Sequence, residues 1–170
     1  MDKLWSPWRS QYIESFSIPK EKDNCVFCRT IQDNLSDDKC LKVHDGKLCF
    51  VMMNLYPYNS GHLMVIPHRH LSNLDELSKD ELSEMMDTVK LSMKALELVM
   101  KPQGFNFGAN LGKAAGAGID DHIHFHIVPR WKGDTNFMPV LGEVKVISQD
   151  LLQTKKLLVE AFNNITKEKV

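Results

Sequence analysis

Apolar residues in this chain follow two periods, which together predict five strands and two helices. Short runs that are continuously apolar, or that alternate between apolar and polar residues, indicate β-strands, because successive side chains of a strand point to opposite faces. We expect these strands at residues 40–44, 47–54, 62–67, 105–111 and 122–128. The residue pair Asp45-Gly46, between the first two strands, favours a hairpin turn.

A long helix is predicted after Ser78-Lys79-Asp80-Glu81, which has the capping-box pattern of a helix start. Apolar residues then recur at three- and four-residue spacing, and this stripe is expected to face the sheet. Its members are Leu82, Met85, Met86, Val89, Met93, Leu96 and Met100. Pro102 and Gly104 are expected to end this helix, and Ser148 to cap a second helix at the C-terminus.

The order of these elements is strands, a central helix, more strands and a terminal helix. This order favours an α+β fold, in which helices pack on one face of an antiparallel sheet. A length of 170 residues fits one domain, and the sequence shows neither an internal repeat nor an interdomain linker. We expect the long central helix and the C-terminal helix on the same face of the sheet.

The last predicted strand contains three of the seven histidines of the chain. His122, His124 and His126 alternate with large apolar residues, so the imidazoles should share one strand face and the apolar side chains the other. Pro129 has no N–H to donate and is expected to end the strand. One interpretation is a solvent-exposed strand face in which the histidines have no functional role. An imidazole with a pKa of about 6.5 is largely neutral at pH 7 and can act as a nucleophile. Three imidazoles on one face therefore favour a site in which one histidine attacks a phosphate and its neighbours bind it.

The formal net charge of −1 and the pI of about 6.6 argue against a broad surface for nucleic acid or membranes. An anionic ligand therefore needs a local cluster of donors. The N-terminus lacks the apolar core of a signal peptide, so the four cysteines indicate thiols or metal ligands in a reducing compartment. We expect a cytoplasmic protein that binds neither nucleic acid nor a membrane.

Three further segments carry a family resemblance together with the histidine triad. They are Trp5-Ser6-Pro7-Trp8-Arg9, the segment from Asn54 to His62, and the segment from Pro129 to Met138. With His-x-His-x-His they resemble the histidine triad (HIT) superfamily of nucleotide hydrolases and transferases. The resemblance is strongest to the branch of diadenosine tetraphosphate phosphorylases and their hydrolase relatives, and it covers most of the chain. It implies the HIT fold, an adenine nucleotide substrate and a homodimer.

The resemblance also implies roles for individual residues. The middle histidine of the family's triad attacks the α-phosphorus of a nucleotide, and this role falls on His124. A nucleotidyl-histidine intermediate would form and then be discharged by water or phosphate, while His126 donates to the non-bridging oxygens. Positions that resemble nucleotide-contacting residues of the family are Asn54, His62 and Asn110. Each of these three can also be interpreted as a polar group at a turn or strand end.

A loop of small residues at 112–118 directly precedes the triad. Glycines such as Gly116 and Gly118 leave the backbone accessible, so its N–H groups can approach a phosphate, although flexible turns have the same composition. Many relatives have a serine hydroxyl at the position of Gly118, and here that contact must come from the backbone or be absent. Arg9, in the aromatic N-terminal segment, is a further candidate for phosphate binding.

A candidate metal site begins with Cys25 and Cys28, whose two-residue gap lets two thiolates bind one ion. In zinc-binding members of the family, the other ligands correspond to the first triad histidine, His122, and to His70. The resemblance therefore implies a structural Zn²⁺ with two cysteine and two histidine ligands. His68 is an alternative ligand to His70. The alternative to the whole site is a pair of thiols without metal.

The expected function is cleavage of a dinucleoside polyphosphate, diadenosine tetraphosphate, at the α-phosphate. Hydrolysis of adenosine monophosphate esters or phosphoramidates is one alternative, and a nucleotide-binding regulator without turnover is another. The sequence leaves open whether water or phosphate is the acceptor. Residues 1–24 are expected to be an extension that packs on the domain or on a dimer partner, and residues 25–170 to form the HIT domain.

Overall fold

Five antiparallel strands form one sheet in the computed structural model of the protein, which describes residues 25–37, 40–134 and 150–167. The order across the sheet is β1-β2-β3-β5-β4. The strands are β1 (Lys42–Asp45), β2 (Cys49–Met53), β3 (Leu63–Pro67), β4 (Gly104–Gly108) and β5 (Phe125–Arg130). The helices are α1 (Val26–Thr30), α2 (Lys79–Met100) and α3 (Leu151–Lys167). The predicted α+β fold with an antiparallel sheet is confirmed.

β1 and β2 form the expected hairpin. The turn lies later than the predicted Asp45-Gly46 pair, since Gly46 donates its N–H to the carbonyl of Cys49 at 2.8 Å and only Lys47 and Leu48 lie between them. A Cβ atom at Gly46 would lie 2.8 Å from both that carbonyl and the carboxylate of Glu84, so only glycine fits without a shift. The same Glu84 carboxylate accepts from the N–H of Leu48 at 2.6 Å and thereby ties the turn to α2.

The two faces of the sheet are covered by different helices. One face packs against α2 and α3, in a core formed by buried side chains of strands and both helices: Val51, Met53, Leu63, Val65, Met85, Leu96, Phe125, Ile127, Leu158 and Phe162. The opposite face packs against α1, where Phe27 contacts a smaller cluster that includes Phe50 and Ile66. The sequence does not predict α1, because five residues are too few for an apolar period to show.

α2 begins at the predicted capping box. The Ser78 hydroxyl accepts from the N–H of Glu81 at 3.2 Å, and the Glu81 carboxylate accepts from the N–H of Ser78 at 2.8 Å. Arg69 also donates to both oxygens of this carboxylate, at 2.7 and 2.8 Å. The predicted stripe is wrong at Leu82, which is 40% exposed, because Glu81 faces the protein in this first turn. The other predicted stripe residues are buried or pack against the core.

β5 runs one residue past Pro129 to Arg130, so the prediction that the proline ends the strand is wrong. The proline is tolerated because β3 no longer pairs at this level: its ladder with β5 stops where Leu63 lies opposite Ile127. On the other side β4 continues, with Phe105 opposite Pro129. β5 is therefore a central strand at its start and is paired on one side only near its end.

Two predictions fall outside the described residues: the N-terminal extension at 1–24 and the helix cap at Ser148. The division into an extension and a domain at residue 25 stays a prediction. α3 is described from Leu151 and buries Leu158 and Phe162. Within the described ranges, no helix is long and apolar enough to cross a membrane.

Candidate active site and metal centre

The three triad histidines lie on the sheet face opposite α2 and α3. Phe125 and Ile127, which alternate with them, belong to the core under these helices, so the imidazoles point to the other face. The exposed fractions of His122, His124 and His126 are 0%, 6% and 8%. The prediction of one shared face is confirmed, but the predicted strand start at residue 122 is wrong: β5 begins at Phe125, and His122 and His124 lie in the segment just before it. All three imidazoles are buried. Each neutral ring has one donor and one acceptor nitrogen, so its hydrogen-bond partners determine which nitrogen carries the proton.

His124 is oriented by its own backbone neighbour. Its Nδ1 atom lies 2.9 Å from the carbonyl oxygen of His122, and the ring of Phe27 packs against it with the centroids 5.0 Å apart. A carbonyl can only accept, so Nδ1 carries the proton. The lone pair of neutral His124 is then on Nε2, where an imidazole can act as a nucleophile.

His62 and His126 form a chain of directed hydrogen bonds. Nδ1 of His62 accepts from the backbone N–H of Tyr58 at 3.1 Å and lies 3.3 Å from the side-chain nitrogen of Asn54. Nε2 of His62 therefore carries the proton and donates to Nδ1 of His126 at 3.0 Å. The proton of neutral His126 is then on Nε2. That atom is buried and has no partner among the described residues, so it can donate to a bound anion.

Burial lowers the pKa values of the triad histidines. Desolvation and, to a smaller extent, the neighbouring His124 lower the pKa of His126 to about 4. Burial likewise lowers the pKa of His122 to about 4. It also lowers the pKa of His124, against the opposing effect of the hydrogen bond to the His122 carbonyl. At pH 7 the triad is therefore neutral, with a lone pair on His124 and an N–H on His126 available together.

Tyr58 belongs to the site, although sequence reasoning did not select it. Its ring packs against His62 and His126 with centroid distances of 4.7 and 5.7 Å. Its hydroxyl accepts from the side-chain nitrogen of Asn110 at 3.4 Å, which brings this predicted nucleotide-contacting residue to the edge of the site. An aromatic residue in a loop has no period that marks it. Only its position between Asn54 and His62 offered a signal.

The remaining predicted phosphate contacts are not joined to the triad. Gly116 follows the short 3-10 helix Lys113–Ala115 in a left-handed conformation with φ of 85°, and Gly118 lies in the segment leading to the triad. Neither glycine hydrogen-bonds to a triad histidine within the part of the chain that the structure describes. Arg9 lies outside the described residues.

Cys25, Cys28, His70 and His122 form the predicted metal cluster. One candidate ligand atom from each lies within 4.8 Å of all the others. The Sγ atoms of Cys25 and Cys28 are 3.4 and 3.6 Å from Nδ1 of His122, and Cys28 Sγ is 3.2 Å from Nδ1 of His70. A tetrahedral zinc ion with ordinary bond lengths places sulfur and nitrogen ligands about 3.6 Å apart. The observed separations are close to this value.

The protonation of His122 also fits a metal ligand. Its Nε2 lies 2.9 Å from the carbonyl oxygen of Pro67, so Nε2 carries the proton and the lone pair is on Nδ1, the atom that faces both thiols. Burial and the adjacent Cys25 raise the pKa of Cys28 to about 11. Without a metal, Cys28 therefore stays a neutral thiol at pH 7, and binding of a cation would release its proton.

His68, the alternative ligand, lies elsewhere. Its Nε2 atom donates to the carbonyl of Gly46 at 3.1 Å and lies 3.7 Å from a carboxylate oxygen of Asp45. Its ring stacks on Phe50 with the centroids 5.6 Å apart. The backbone after β3 turns so that His68 points to the β1–β2 hairpin and His70 to the cysteines. Of the two histidines, His70 is the candidate ligand.

Comparison with known proteins identifies the family. The model of the HIT domain matches residues 36–133. The chain belongs to the HIT domain family. This HIT protein is 40% identical over 161 residues to the AP-4-A phosphorylase of Mycobacterium tuberculosis, an alignment that covers 93% of this chain and 83% of that protein. It is 31% identical over 107 residues to the adenosine 5'-monophosphoramidase of Schizosaccharomyces pombe, across 63% of this chain and 74% of that protein.

A solved structure supports the HIT fold of this protein. It is the crystal structure of a Zn-bound histidine triad family protein from Mycobacterium smegmatis, with a TM-score of 0.68 and 22% sequence identity. The similarity covers 87% of this chain and 99% of that one. At this identity the similarity establishes a shared fold for nearly the whole of the neighbouring structure.

Proposed function

We propose that this HIT protein cleaves dinucleoside polyphosphates, diadenosine tetraphosphate in particular, at the α-phosphate through a nucleotidyl-histidine intermediate. One observation carries the proposal: the Nε2 lone pair of His124 lies on the same buried face as the Nε2–H of His126, which has no partner in the described part of the chain, and the two rings are 4.7 Å apart. A nucleophile next to an anion donor suits attack on phosphorus. The identity to a mycobacterial AP-4-A phosphorylase supports the substrate class.

The reaction proceeds in two displacements. Nε2 of His124 attacks the α-phosphorus, a P–N bond forms, and the bond from phosphorus to the bridging oxygen breaks, so the rest of the polyphosphate leaves with that electron pair. Water or inorganic phosphate then attacks the same phosphorus and breaks the P–N bond. His124 returns to its neutral form with its Nδ1 proton still bonded to the His122 carbonyl. The acceptor gives up its proton to solvent or buffer.

His126 stabilises the charge that develops in both steps. Its Nε2–H is buried and has no partner among the described residues, so a non-bridging phosphate oxygen would satisfy an otherwise costly group. The donor is fixed in direction before substrate binds, because His62 holds Nδ1 of the same ring at 3.0 Å. Preorganised donors of this kind contribute to catalysis without reorganising during the reaction.

We further propose a structural zinc ion held by Cys25, Cys28, His70 and His122. When bound, the ion neutralises the two thiolates and joins α1 to the segments that precede α2 and β5. His122 then has two functions. Its ring would ligate the metal, and its backbone carbonyl orients His124. The M. smegmatis protein of similar fold is Zn-bound, which supports this assignment.

Binding of the nucleotide is assigned to the predicted positions around the triad. We propose that Asn54 and Asn110 contact the ribose or phosphate, and that Gly116, Gly118 and Arg9 contribute to phosphate binding. Asn54 already takes part in the hydrogen bonds around His62. The homodimer, the cytoplasmic location and the packing of residues 1–24 stay predictions that rest on the family resemblance and the composition.

A second candidate function is hydrolysis of adenosine phosphoramidates or monophosphate esters. The similarity to the S. pombe adenosine 5'-monophosphoramidase favours it, and the same His124 and His126 would act in the same roles. A nucleotide-binding regulator without turnover is a third function. A stable complex with intact substrate would favour that third function.

Product analysis tests these functions directly. The protein is incubated with diadenosine tetraphosphate with and without inorganic phosphate, and the nucleotides are separated by anion exchange. ADP formed only with phosphate identifies a phosphorylase, whereas AMP and ATP formed in both conditions identify a hydrolase. No turnover in either condition contradicts the proposal. Adenosine phosphoramidate would then be the next substrate to assay.

A further inference from the structure

A buried carboxylate outside the triad joins two parts of the chain next to it. Asp134 has a side chain that is 8% exposed. Its oxygens accept from Nε and Nη2 of Arg130 at 2.6 and 2.8 Å and from the backbone N–H of Trp131 at 3.1 Å. They also accept from the side-chain nitrogen of Asn59 at 2.8 Å. Arg130 is the last residue of β5 and Trp131 follows it, while Asn59 belongs to the loop between β2 and β3.

Asn59 extends this connection to the histidines. Its side-chain nitrogen donates to the carbonyl of Pro129 at 3.0 Å in addition to Asp134. Its backbone carbonyl accepts from the N–H of His62 at 3.2 Å. It directly follows Tyr58, whose N–H donates to Nδ1 of His62. The tip of the loop is therefore fixed to β5, the strand that carries His126.

The position of this loop determines the direction of the hydrogen bonds between the histidines. Of the two donors to Nδ1 of His62, the N–H of Tyr58 at 3.1 Å is closer than the side chain of Asn54 at 3.3 Å. If the loop tip moves away, His62 can place its proton on Nδ1 and accept at Nε2. His126 would then carry its proton on Nδ1, and Nε2 would present a lone pair where a phosphate needs a donor.

We propose that Asp134 is a positioning residue for the triad, which holds Asn59 and thereby keeps His62 and His126 in the tautomers that direct an N–H toward the nucleotide. The inference rests on the proposed function in assigning His126 to the phosphate. The tautomers themselves are a property of the folded protein and do not depend on the substrate.

The test replaces Asp134 with asparagine in the full chain, which preserves the shape of the side chain and removes its charge. Two-bond ¹⁵N–¹H spectra of histidine-labelled protein report the tautomer of each ring. We expect Nε2–H forms of His62 and His126 in the wild type and a mixture of forms in Asp134→Asn. We expect kcat with diadenosine tetraphosphate to fall by about ten- to a hundredfold, with a smaller change in KM.

Two further variants complete the experiment. Asn59→Ala should have the same effects, and the double variant should lose no more than either single variant, because both act through one connection. Asp87→Asn is the matched control, since it removes the charge of an exposed carboxylate that pairs with Lys90 at 2.7 Å. Wild-type tautomers and kcat in both Asp134→Asn and Asn59→Ala would overturn the inference. If Asp134→Asn does not fold, Asn59→Ala decides alone.

The two proposals can fail separately in this experiment. If the wild type turns over no nucleotide, the proposed function fails, while the spectra still show whether Asp134 sets the tautomers. If turnover is normal but the spectra do not respond to Asp134→Asn or Asn59→Ala, only the positioning role is wrong.

Discussion

At the scale of single residues, His124 and His126 have the same side chain but present different groups at Nε2, a lone pair in His124 and an N–H in His126. The Nδ1–H of His124 donates to the carbonyl of His122, which leaves a lone pair on Nε2. The Nε2–H of His62 donates to Nδ1 of His126, so the proton of His126 is on Nε2. Neutral imidazole has one donor and one acceptor, so a single fixed partner decides which atom faces the ligand. The partners therefore assign the roles.

Replacing His124 with alanine should abolish turnover, because the P–N bond can no longer form. By comparison with other nucleophile deletions, kcat should fall by up to about 10⁶-fold while nucleotide binding stays measurable. Single-turnover kinetics and equilibrium binding measure the two effects. Retention of a tenth of the wild-type activity would remove His124 from the role of nucleophile.

The pH profile should reflect the lowered pKa of His126. Its pKa of about 4 means that the ring stays neutral, and Nδ1 stays able to accept from His62, well below the ordinary histidine value. The profile of kcat/KM reports the free enzyme. Burial lowers the pKa of His124 as well, so we expect no inflection near the ordinary pKa of about 6.5, and we expect the donor function of His126 to be lost as the pH falls toward 4. An inflection near the ordinary value would contradict the burial argument.

At the scale of elements, the start of α2 is joined to the segment that carries His70. Arg69 precedes His70 and donates to both carboxylate oxygens of Glu81 in the first turn of the helix. The same carboxylate closes the capping box with Ser78. One buried acid thus completes the cap of a helix and fixes the chain next to His70, a proposed metal ligand.

Glu81→Gln should lower the free energy of unfolding by about 1 to 3 kcal/mol at pH 7, because it removes a charged partner from a buried site. The hydrogen bonds from Arg69 lower the pKa of Glu81 from its ordinary 4.5 to about 2. A lowered carboxyl pKa stabilises the fold above the ordinary value, and this stabilisation is lost as the pH falls from 4.5 toward 2.

Urea unfolding at pH 7 and pH 3 would measure the change. The difference between wild type and Glu81→Gln should shrink at the lower pH. Glu160→Gln, an exposed substitution on α3, serves as the control and should change little at either pH. If the two proteins differed in free energy of unfolding by the same amount at pH 7 and pH 3, the charge of Glu81 would not be what stabilises the fold.

At the scale of the whole molecule, the cysteine and histidine cluster connects three distant parts of the chain. Cys25 and His122 are 97 residues apart in sequence but their ligand atoms are 3.4 Å apart in space. α1, which carries Cys28, also covers the triad through Phe27. Occupation of this site by a metal would therefore stabilise the fold and the orientation of His124 together.

Cys25→Ala should lose the bound zinc and lower the thermal midpoint, with a stability loss on the order of several kcal/mol. Cys49→Ala is the matched control: this thiol is also buried, but its hydrogen-bond partners among the described residues are Thr88 and Glu84, which are not candidate ligands. It should lose stability and keep its zinc. Metal analysis and thermal unfolding measure both variants. Unchanged zinc stoichiometry in Cys25→Ala would rule out the site.

The sequence by itself determined the features that depend on local periodicity. Alternation predicted the strands and the shared face of the triad, and the Ser78 capping box predicted the start of α2. The family resemblance supplied the four candidate metal ligands. Errors arose where a neighbour overrides local preference, as at Leu82, which the pairing of Glu81 with Arg69 displaces from the core, and at Pro129, where the end of β3 permits a proline inside a strand.

Only the tertiary structure decided which atoms meet. His70 and His68 are equivalent in spacing, and the turn after β3 directs one to the cysteines and the other to Gly46. The tautomers of the triad depend on a carbonyl and on His62, and the hydrogen bond between Asp134 and Asn59 spans 75 residues. Such contacts are set by strand register and loop path, which emerge when the whole core packs and have no period along the chain.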